Sequence, residues 1–589
     1  MHVKSWWISS VIVGLIYLFA ISVDIDIKQK TPTSNVASLT ISSNLKSHIP
    51  LHISAIKYPI SSVVCQDQSF VFDTTLKWYQ TTTQYIDIKL NKPIKCQVTV
   101  ANAHKPYKLK AMRVYDIWDI SILFITLILP TMYILFLVFI YILDVLKNKI
   151  PFTSTITLDN ITLTSKQKTL LWFIILVGVV IRVLYFDKHG VMLFQHDWQG
   201  HIGFIKHMAK YWDIPLADKG LEYPQQLLYY ILSASIYDIS IHYFGLSEGD
   251  TLLAIGILSL VGSVIFLVYT YKILDILKAS FIVRLIVVVF VSLTPSIIYF
   301  CSRINNDSLV LALSSVSLYY ILVVYISRVQ RGFFQALFFV TLLFFTKIST
   351  LSFELLLLFV LIVSYLKSQD TTIIYRYIWI YTITGALTLV LTLWKVYMPL
   401  ESELFHLVNS SGYFPNQHIS ALDSSYFLSF HLKELLDASY SYVFGIDAIR
   451  HSFMTYQYGT MIFGEFDYSF WDHSSSILRY IREAMILSYL IVPLGLILYI
   501  INIHKSFAIE YMLFIALLIN ISLVIKFLHD YPVICNSDFR YLVASMIPFS
   551  YIYAKGLSFV YIGWFRYILW AFVSLQSISN IIFISYIIA

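Results

Sequence analysis

The sequence predicts a polytopic α-helical membrane protein with about 13 transmembrane helices and a small external β-sandwich near its N-terminus. Of its 589 residues, 58% are hydrophobic and only 13% are charged, and the mean hydropathy is +0.73. A soluble core cannot bury so much apolar surface, whereas a bilayer accepts it as a solvent. Apolar runs of about 17–25 residues, the length that spans a bilayer, recur along the whole chain.

The formal net charge of +7 does not indicate nucleic-acid binding. Lys and Arg gather in short loops between apolar runs, which is how a membrane protein encodes its orientation. No basic tract of the kind that follows a phosphate backbone is present. The expected partners are therefore membrane lipids and their derivatives, with no nucleic acid.

The N-terminal part of the chain is predicted to contain a membrane anchor and a β domain. The apolar run at 6–23 favours an uncleaved anchor (1–23), with a cleaved signal peptide as the alternative. Residues 24–115 contain β-branched stretches such as "QYIDIKL" and "CQVTVAN" between turn formers, which predict the strands of a β-sandwich. Cys65 and Cys96 lie in this segment and could form one disulfide if it faces an oxidising compartment.

The basic loops predict which segments share a side of the membrane. The Lys-rich stretch between 143 and 169 predicts a cytoplasmic loop, so residues 24–115 and 187–225 would be external. Later basic loops place 397–480 and 527–540 on that external side, within a transmembrane domain at 116–589. Three apolar runs separate 187–225 from Asp307, so one of them cannot cross fully. The run near 226–244, which contains Asp238 and His242, is the best candidate.

The segment "FQHDWQGHIGFIKHMAKYWDIP" (194–215) predicts an amphipathic helix in the headgroup layer. Its apolar stripe would contain Trp198, Ile202, Ile205, Ala209 and Trp212. Asp197 and His201 are four residues apart and so share a face near its N-terminus, and Pro215 would end it. The plainest alternative is an interfacial anchor whose charges are simply solvated.

Ionisable side chains also stand at the ends of later apolar runs. The candidates are Glu222, Arg303, Asp307, Lys347 and Arg540, the last followed by Tyr541. Ionisable residues at membrane depth usually mark function, and on one face these would form a site with carboxylates beside cations. Cations would hold a phosphate and offset the charge on a leaving group. A carboxylate would take the proton of an attacking hydroxyl.

The order of these motifs resembles the GT-C glycosyltransferases. It is most similar to the branch of the lipid A aminoarabinose transferases and protein O-mannosyltransferases, the family 39-like enzymes, over roughly residues 168–550. The family's acidic residue in the first external loop matches Asp197 in "FQHDWQGH". Glu222-Tyr223-Pro224 stands where relatives have Glu-Lys-Pro, with Tyr223 in place of the lysine. Asp307, Thr346-Lys347 and Arg540-Tyr541 match later elements.

The resemblance implies a GT-C-like glycosyltransferase that takes a sugar from a polyprenyl-phosphate donor on the periplasmic face. Asp197 would be the general base of an inverting transfer, with His201 orienting it. Arg303, Lys347 and Arg540 would bind the donor phosphate. Glu222 and Asp307 would position these groups or the sugar, beside Tyr223 and Tyr541.

This chain departs from the family in two places. It has an external β domain before the family-like region, and Trp198 stands where many relatives have a second acidic residue. A metal site on two adjacent carboxylates is therefore not predicted, and no cofactor is expected. A divalent ion bound with help from His196 and His201 is the alternative.

The aromatic stretch "HSFMTYQYGTMIFGEFDYSFWDH" (451–473) suits sugar stacking, with Glu465, Asp467 and Asp472 as hydrogen-bond acceptors. It could form a lid over the acceptor or simply an interfacial aromatic belt. The acceptor would be a glycolipid, lipopolysaccharide or protein of the cell envelope, at a bacterial inner membrane.

Two other functions would use the same location and carrier. One is a transporter or flippase of lipid-linked sugars. It is disfavoured because most charges are expected at helix ends and no internal repeat is visible. The other is an O-antigen polymerase or ligase.

Overall fold

A computed structural model describes most of the membrane-embedded part of the chain and the strands of the N-terminal part. The described residues are 23–29, 36–43, 48–55, 60–65, 68–71, 84–89, 94–100, 109–113, 129–149, 162–191, 197–212, 222–223, 225–327, 332–367, 372–396, 419, 422–437, 452–464, 476–560 and 563–588. They form two compact units. The first contains 1–149, 213–225 and 378–407, and the second contains the rest.

The first unit contains eight β-strands, one complete long helix and part of a second helix among its described residues. The strands are β1 (Val23–Gln29), β2 (Val36–Ser43), β3 (His48–Ala55), β4 (Ile60–Cys65), β5 (Gln68–Val71), β6 (Gln84–Lys89), β7 (Ile94–Val100) and β8 (Leu109–Arg113). Helix α1 spans Leu129–Lys149. The predicted anchor at 1–23 lies outside the described residues, except for Val23 at the start of β1.

The strands pair in two antiparallel sheets. The orders are β1-β2-β7-β4-β5 and β6-β3-β8. In the larger sheet, the register of β4 and β7 places the Cα of Cys65 opposite the Cα of Cys96. That the two sheets pack face to face as a sandwich stays a prediction.

The described helices of the second unit run from α2 to α19. They are α2 (Ser165–His189), α3 (Trp198–Tyr211), α4 (Leu227–Asp238), α5 (Glu248–Ile276), α6 (Phe281–Leu293), α7 (Pro295–Ile298), α8 (Asp307–Ser327), α9 (Phe333–Phe344), α10 (Leu351–Lys367), α11 (Thr372–Val396, which continues into the first unit), α12 (Ser424–Leu428), α13 (Leu432–Asp437), α14 (Phe453–Phe463), α15 (Ser476–Tyr489), α16 (Ile491–Ile501), α17 (Ala508–Asp530), α18 (Met546–Ser558) and α19 (Gly563–Ile588). Short turns of other helix types, Ile239–Tyr243, Tyr299–Ser302, Ile348–Thr350, Ile503–Lys505, Ile534–Ser537 and Phe539–Ser545, connect several of them.

The protein is an α-helical membrane protein. Within its described residues, seven helical segments are long and apolar enough to cross a membrane, and the bent pair α6–α7 makes an eighth if it counts as one span. Many of these segments present large apolar side chains outward, for example Phe173 at 60% and Ile257 at 51% exposure, which is what lipid contact requires. The predicted total of about 13 helices stays a prediction.

Helices α2 and α5 run antiparallel, which fixes how the chain connects them. The rings of Trp172 and Tyr271 are 4.7 Å apart near one end of the pair. Near the other end, Gly256 packs directly against Phe186 and Val191. The chain therefore leaves α2 and enters α5 at the same end, and α3 and α4 do not carry it across. This agrees with the prediction that the run near 226–244 does not cross.

Helix α3 confirms the predicted amphipathic helix, with a difference at each end, and at its start Trp198 is only partly buried. Its buried face contains His201, Ile202, Phe204, Ile205, Met208 and Ala209. The prediction that Trp212 continues this stripe is wrong. The helix ends at Tyr211, and Trp212 has a left-handed backbone (φ 49°) and is 55% exposed. The Trp212 amide donates to the Met208 carbonyl, so a single residue in the left-handed conformation caps the helix. This conformation turns the indole away from the stripe.

Candidate active site

A polar cavity lies beside the N-terminus of α3. Its walls are Asp197, Trp198, His201, Arg303, Ile304, Asn305 and Arg540, and the space between them, counted together with the solvent at its open mouth, is about 250 Å³. Four of the predicted site residues, Asp197, His201, Arg303 and Arg540, are on this wall. They come from three distant parts of the sequence, and the fold brings them together at this cavity.

Asp197 and Arg540 form an ion pair across the cavity. The Asp197 Oδ2 accepts a hydrogen bond from Arg540 Nη2 at 3.0 Å. Asp538 holds Arg540 from the other side, because its Oδ1 accepts from the Arg540 backbone N–H at 2.7 Å and its Oδ2 lies 3.9 Å from Arg540 Nε. The Asp197 side chain keeps 31% exposure, so its carboxylate is accessible from the cavity.

Asp307 and Lys347 form a second, more deeply buried ion pair. Lys347 Nζ donates to Asp307 Oδ1 at 2.5 Å, and the two residues are 9% and 2% exposed. Asn305 Nδ2 also donates to Asp307 Oδ2 at 3.3 Å, and the Asp307 amide donates to Asn305 Oδ1 at 3.1 Å. Because Asp307 is the first residue of α8, its negative charge also matches the positive end of that helix.

Arg303 and Tyr541 complete the charged cluster. Arg303 is 6% exposed, and its guanidinium lies 5.5 Å from the centroid of the Phe300 ring. The Tyr541 ring has Lys347 Nζ at 5.0 Å and the Arg540 guanidinium at 5.3 Å from its centroid. Its aromatic face thus neighbours two of the three predicted phosphate-binding cations.

His201 is buried between the two ion pairs. Its Nδ1 is hydrogen-bonded to the Tyr230 hydroxyl at 2.7 Å, and it is 5% exposed. Burial lowers the pKa of His201 to about 4, although the charges of Asp197 and Asp307 act in the opposite direction. The imidazole is therefore neutral near pH 7, and its proton can remain on the ring nitrogen that the Tyr230 contact selects.

The cluster lies well inside the helical bundle rather than at its edge. The Ser259 hydroxyl donates to the Arg303 carbonyl at 2.5 Å, and Ser259 is 11 residues along α5 from Glu248, which is about 16 Å at 1.5 Å per residue. Between them, Leu253 and Ile257 are 40% and 51% exposed, so apolar helix surface extends beyond the level of Arg303. The cluster thus lies beside the middle of α5, while Asp307 begins α8 and Lys347 directly precedes the turn Ile348–Thr350.

The other predicted site residues are described separately or not at all. Glu222 and Tyr223 belong to the first unit, where Gln225 Nε2 donates to Glu222 Oε2 at 3.1 Å. Residues His196, Glu465, Asp467 and Asp472 lie outside the described residues. The predicted lid therefore stays a prediction, as do the roles of Glu222 and Tyr223.

Three residues of the site were not predicted from the sequence. Asp538 precedes Arg540 by two residues, Asn305 precedes Asp307 by two, and Tyr230 lies in α4. The i, i+2 spacing of a polar residue before a charged one is the signal that identifies the first two, because short polar side chains bond backbone two residues on. For Tyr230, which contacts His201 from another helix, the sequence carries no such signal.

No group of three or more His, Cys, Asp and Glu side chains in the described part of the chain has the geometry to hold a metal ion. Asp197 and Asp307 have cations as neighbours instead, since Asp197 pairs with Arg540 and Asp307 with Lys347.

Comparison with known proteins assigns the chain to no family. No protein-family model matches the chain, and no curated protein matches it.

Proposed function

We propose that this protein is a membrane glycosyltransferase that moves a sugar from a polyprenyl-phosphate donor to an acceptor hydroxyl. One observation carries the proposal: an accessible carboxylate, Asp197, shares a small recessed cavity with the guanidinium groups of Arg303 and Arg540. A phosphate needs planar, multidentate cations, and an attacking hydroxyl needs a nearby carboxylate.

The reaction would proceed by direct displacement. The acceptor oxygen attacks the anomeric carbon, and the bond between that carbon and the phosphate oxygen breaks. The departing polyprenyl phosphate keeps the electron pair, and its charge is offset by Arg303 and Arg540. Asp197 takes the proton of the acceptor. One displacement inverts the anomeric centre.

The Asp307–Lys347 pair and His201 would hold the residues that line the cavity in place. The Asp307–Lys347 pair lies behind the cavity-lining residues, and Lys347 adds positive charge close to the Tyr541 ring. Neutral His201 follows Asp197 by four residues and would keep the start of α3 in place through Tyr230. The roles of Glu222 and Tyr223 stay predictions.

Several expectations about the whole protein belong to this proposal. They are about 13 membrane helices, a β-sandwich at 24–115, a transmembrane domain at 116–589, and an active site on the periplasmic face of a bacterial inner membrane. The acceptor would be a glycolipid, lipopolysaccharide or protein.

Transport of a lipid-linked sugar is the second candidate function, and the fold provides one observation in its favour. The α6–α7 span is bent by 62° close to a recessed charged cluster, and transporters often use such broken helices at their binding sites. The transferase is preferred because a carboxylate and two guanidiniums converge on a cavity, as bond-breaking at a phosphate ester requires.

Mass spectrometry of envelope glycolipids and glycoproteins would separate the two. A deletion strain and the same strain complemented with the wild-type gene are compared. The transferase predicts one sugar mass that is lost from a covalent product in the deletion and restored by the gene. If covalent products are unchanged and the lipid-linked sugar accumulates in the deletion, the protein is a transporter.

A further inference from the structure

A buried arginine in the middle of α2 takes no part in the site described above. Arg182 is 0% exposed, and a charge at this depth of a membrane helix is costly. Among the described residues, no carboxylate lies within 4 Å of its guanidinium. Its hydrogen bonds go instead to the Ser263 hydroxyl (2.7 Å) and to three carbonyls, those of Gly178 (3.0 Å), Val291 (2.9 Å) and Ser292 (3.0 Å).

Two of these carbonyls belong to the broken end of α6. In an uninterrupted helix, the Val291 carbonyl would accept from the amide of residue 295, but Pro295 has no N–H. The bend of 62° after Leu293 interrupts the same ladder at Ser292. Arg182 supplies both carbonyls with donors. Its positive charge also faces the negative end of the α6 dipole, which explains why it is tolerated there without a carboxylate.

The broken end leads directly to the cavity. The chain continues from α7 through the turn Tyr299–Ser302 to Arg303, and within that turn the Cys301 thiol donates to the Arg182 carbonyl at 3.5 Å. A second connection runs through α5, where Ser263, the partner of Arg182, is one turn from Ser259, the partner of the Arg303 carbonyl.

We propose that Arg182 is a positioning residue that fixes the break between α6 and α7 and thereby holds Arg303 at the cavity wall. The structural part of this inference is independent of the proposed function, whereas its effect on turnover rests on the proposed function. The two parts are therefore tested by separate readouts.

The structural readout is the rate at which N-ethylmaleimide modifies Cys301 in the detergent-purified full chain, measured by peptide mass spectrometry. A buried thiol reacts only through local opening. Loss of the arginine's charge-assisted hydrogen bonds in Arg182→Met should accelerate modification about tenfold or more. Arg182→Lys, which keeps the charge but not the planar fork, should give an intermediate rate.

Arg284 offers a matched control, because it lies near the N-terminal end of α6, whereas Arg182 contacts the C-terminal end of α6. Arg284 is 1% exposed and bonds the Ala279 carbonyl at 2.8 Å and Asp275 at 2.9 Å. Arg284→Met should leave the Cys301 rate at the wild-type value. The inference would be overturned if Arg182→Met and Arg284→Met accelerated the modification of Cys301 equally. It would also be overturned if neither Arg182→Met nor Arg182→Lys accelerated it.

The functional readout is donor kinetics for the sugar donor identified by the envelope comparison. Displacement of Arg303 should raise KM for the donor in Arg182→Lys by about tenfold and change kcat less, since binding of the phosphate is what Arg303 provides. An unchanged donor KM together with faster Cys301 modification would overturn the link to Arg303. If the wild type forms no covalent product, the proposed function fails, and the Cys301 rates still decide the structural part.

Discussion

At the scale of single residues, the deep ion pair of the site should behave differently from a surface pair of the same chemistry. Asp307–Lys347 and Asp530–Lys526 have almost equal N–O distances, 2.5 and 2.6 Å. The lysine side chains are 11% and 71% exposed, respectively. Burial therefore decides their contributions, because a carboxylate left alone in the interior keeps its full desolvation penalty.

We expect Lys347→Met to destabilise the fold by about 3–5 kcal/mol and Lys526→Met by less than about 1 kcal/mol. Thermal unfolding of the purified chain in detergent measures both. Adding Asp307→Asn to Lys347→Met should restore part of the loss, because it removes the stranded charge. Equal melting temperatures for Lys347→Met and Lys526→Met would contradict the burial of the pair.

His201 should make stability depend on pH. Its pKa is lowered from an ordinary value near 6.5 to about 4, so between these values the unfolded chain binds a proton that the folded chain does not. The free energy of unfolding therefore has its full value above about pH 6.5 and falls by up to about 3 kcal/mol as the pH falls toward 4.

Thermal unfolding between pH 7 and 4.5 tests this dependence. The melting temperature of His201→Gln should fall less steeply over that range than the wild type. His529→Gln, at an imidazole that is 79% exposed, should follow the wild-type slope. A His201→Gln profile parallel to the wild type would show that His201 is not a buried neutral imidazole.

The sequence predicts much of the residue content of the site but not its pairing. Asp197, Arg303, Asp307, Lys347 and Arg540 are identifiable because charges are rare between apolar runs. The contact between Asp197 and Arg540 cannot be predicted from the sequence, because 343 positions separate them and no periodicity relates them. Arg182 cannot be recognised from the sequence as a positioning residue. It is a lone arginine inside one apolar run, and the carbonyls that it bonds are freed by Pro295 in a different helix.

At the scale of secondary-structure elements, two helices touch backbone to backbone at a pair of glycines. A Cβ added at Gly556 in α18 would lie 1.9 Å from the Gly495 carbonyl oxygen in α16, and one at Gly495 would lie 2.5 Å from the Tyr553 carbonyl oxygen. Small residues at such crossings let membrane helices approach closely.

We expect Gly556→Ala to destabilise the protein by about 3 kcal/mol or more, since neither backbone can move aside. Gly385→Ala is the control, because nothing lies within 4 Å of a Cβ there and alanine favours a helix by up to about 1 kcal/mol. Melting temperatures measure both. A Gly556→Ala protein as stable as the wild type would contradict the α16–α18 contact.

The register of β4 and β7 sharpens the expectation of a disulfide. Cα atoms of directly opposed residues in an antiparallel pair are about 4.5–5.5 Å apart, within the range that a disulfide bridges. If the segment faces an oxidising compartment, Cys65 and Cys96 should be recovered as one linked peptide after alkylation without reduction. Cys301, which is a free thiol, should be recovered alkylated. Recovery of alkylated Cys65 and Cys96 would contradict an oxidised, external β4–β7 pair.

Element-level prediction succeeded where periodicity was strong and failed where a local backbone choice decided the outcome. The amphipathic pattern of α3 predicted the helix and three residues of its buried face, Ile202, Ile205 and Ala209. It did not give the left-handed residue Trp212, because the cap geometry depends on a single backbone conformation. The bend after Leu293 follows from Pro295 only once the partner of the freed carbonyls is known.

At the scale of the whole molecule, charge counting predicted the path of the chain past α3 and α4. Basic loops on both sides of the site required one run not to cross, and the contacts of α2 with α5 show the same. The depth of the site was not predictable, because it depends on how far α5 extends beyond Arg303. Hydropathy gives the length of a span but not the level at which another segment meets it.

The most direct test of the central claim is complementation of the deletion strain with Asp197→Asn, read as the mass of the glycosylated product. Asp530→Asn is the control, since that carboxylate lies in an exposed pair with Lys526. At equal protein levels, Asp197→Asn should lower product formation by about 10²–10⁴-fold, the usual contribution of a general base, while Asp530→Asn restores it. Full restoration by Asp197→Asn would show that Asp197 is not the base and that the cavity is not the catalytic centre proposed here.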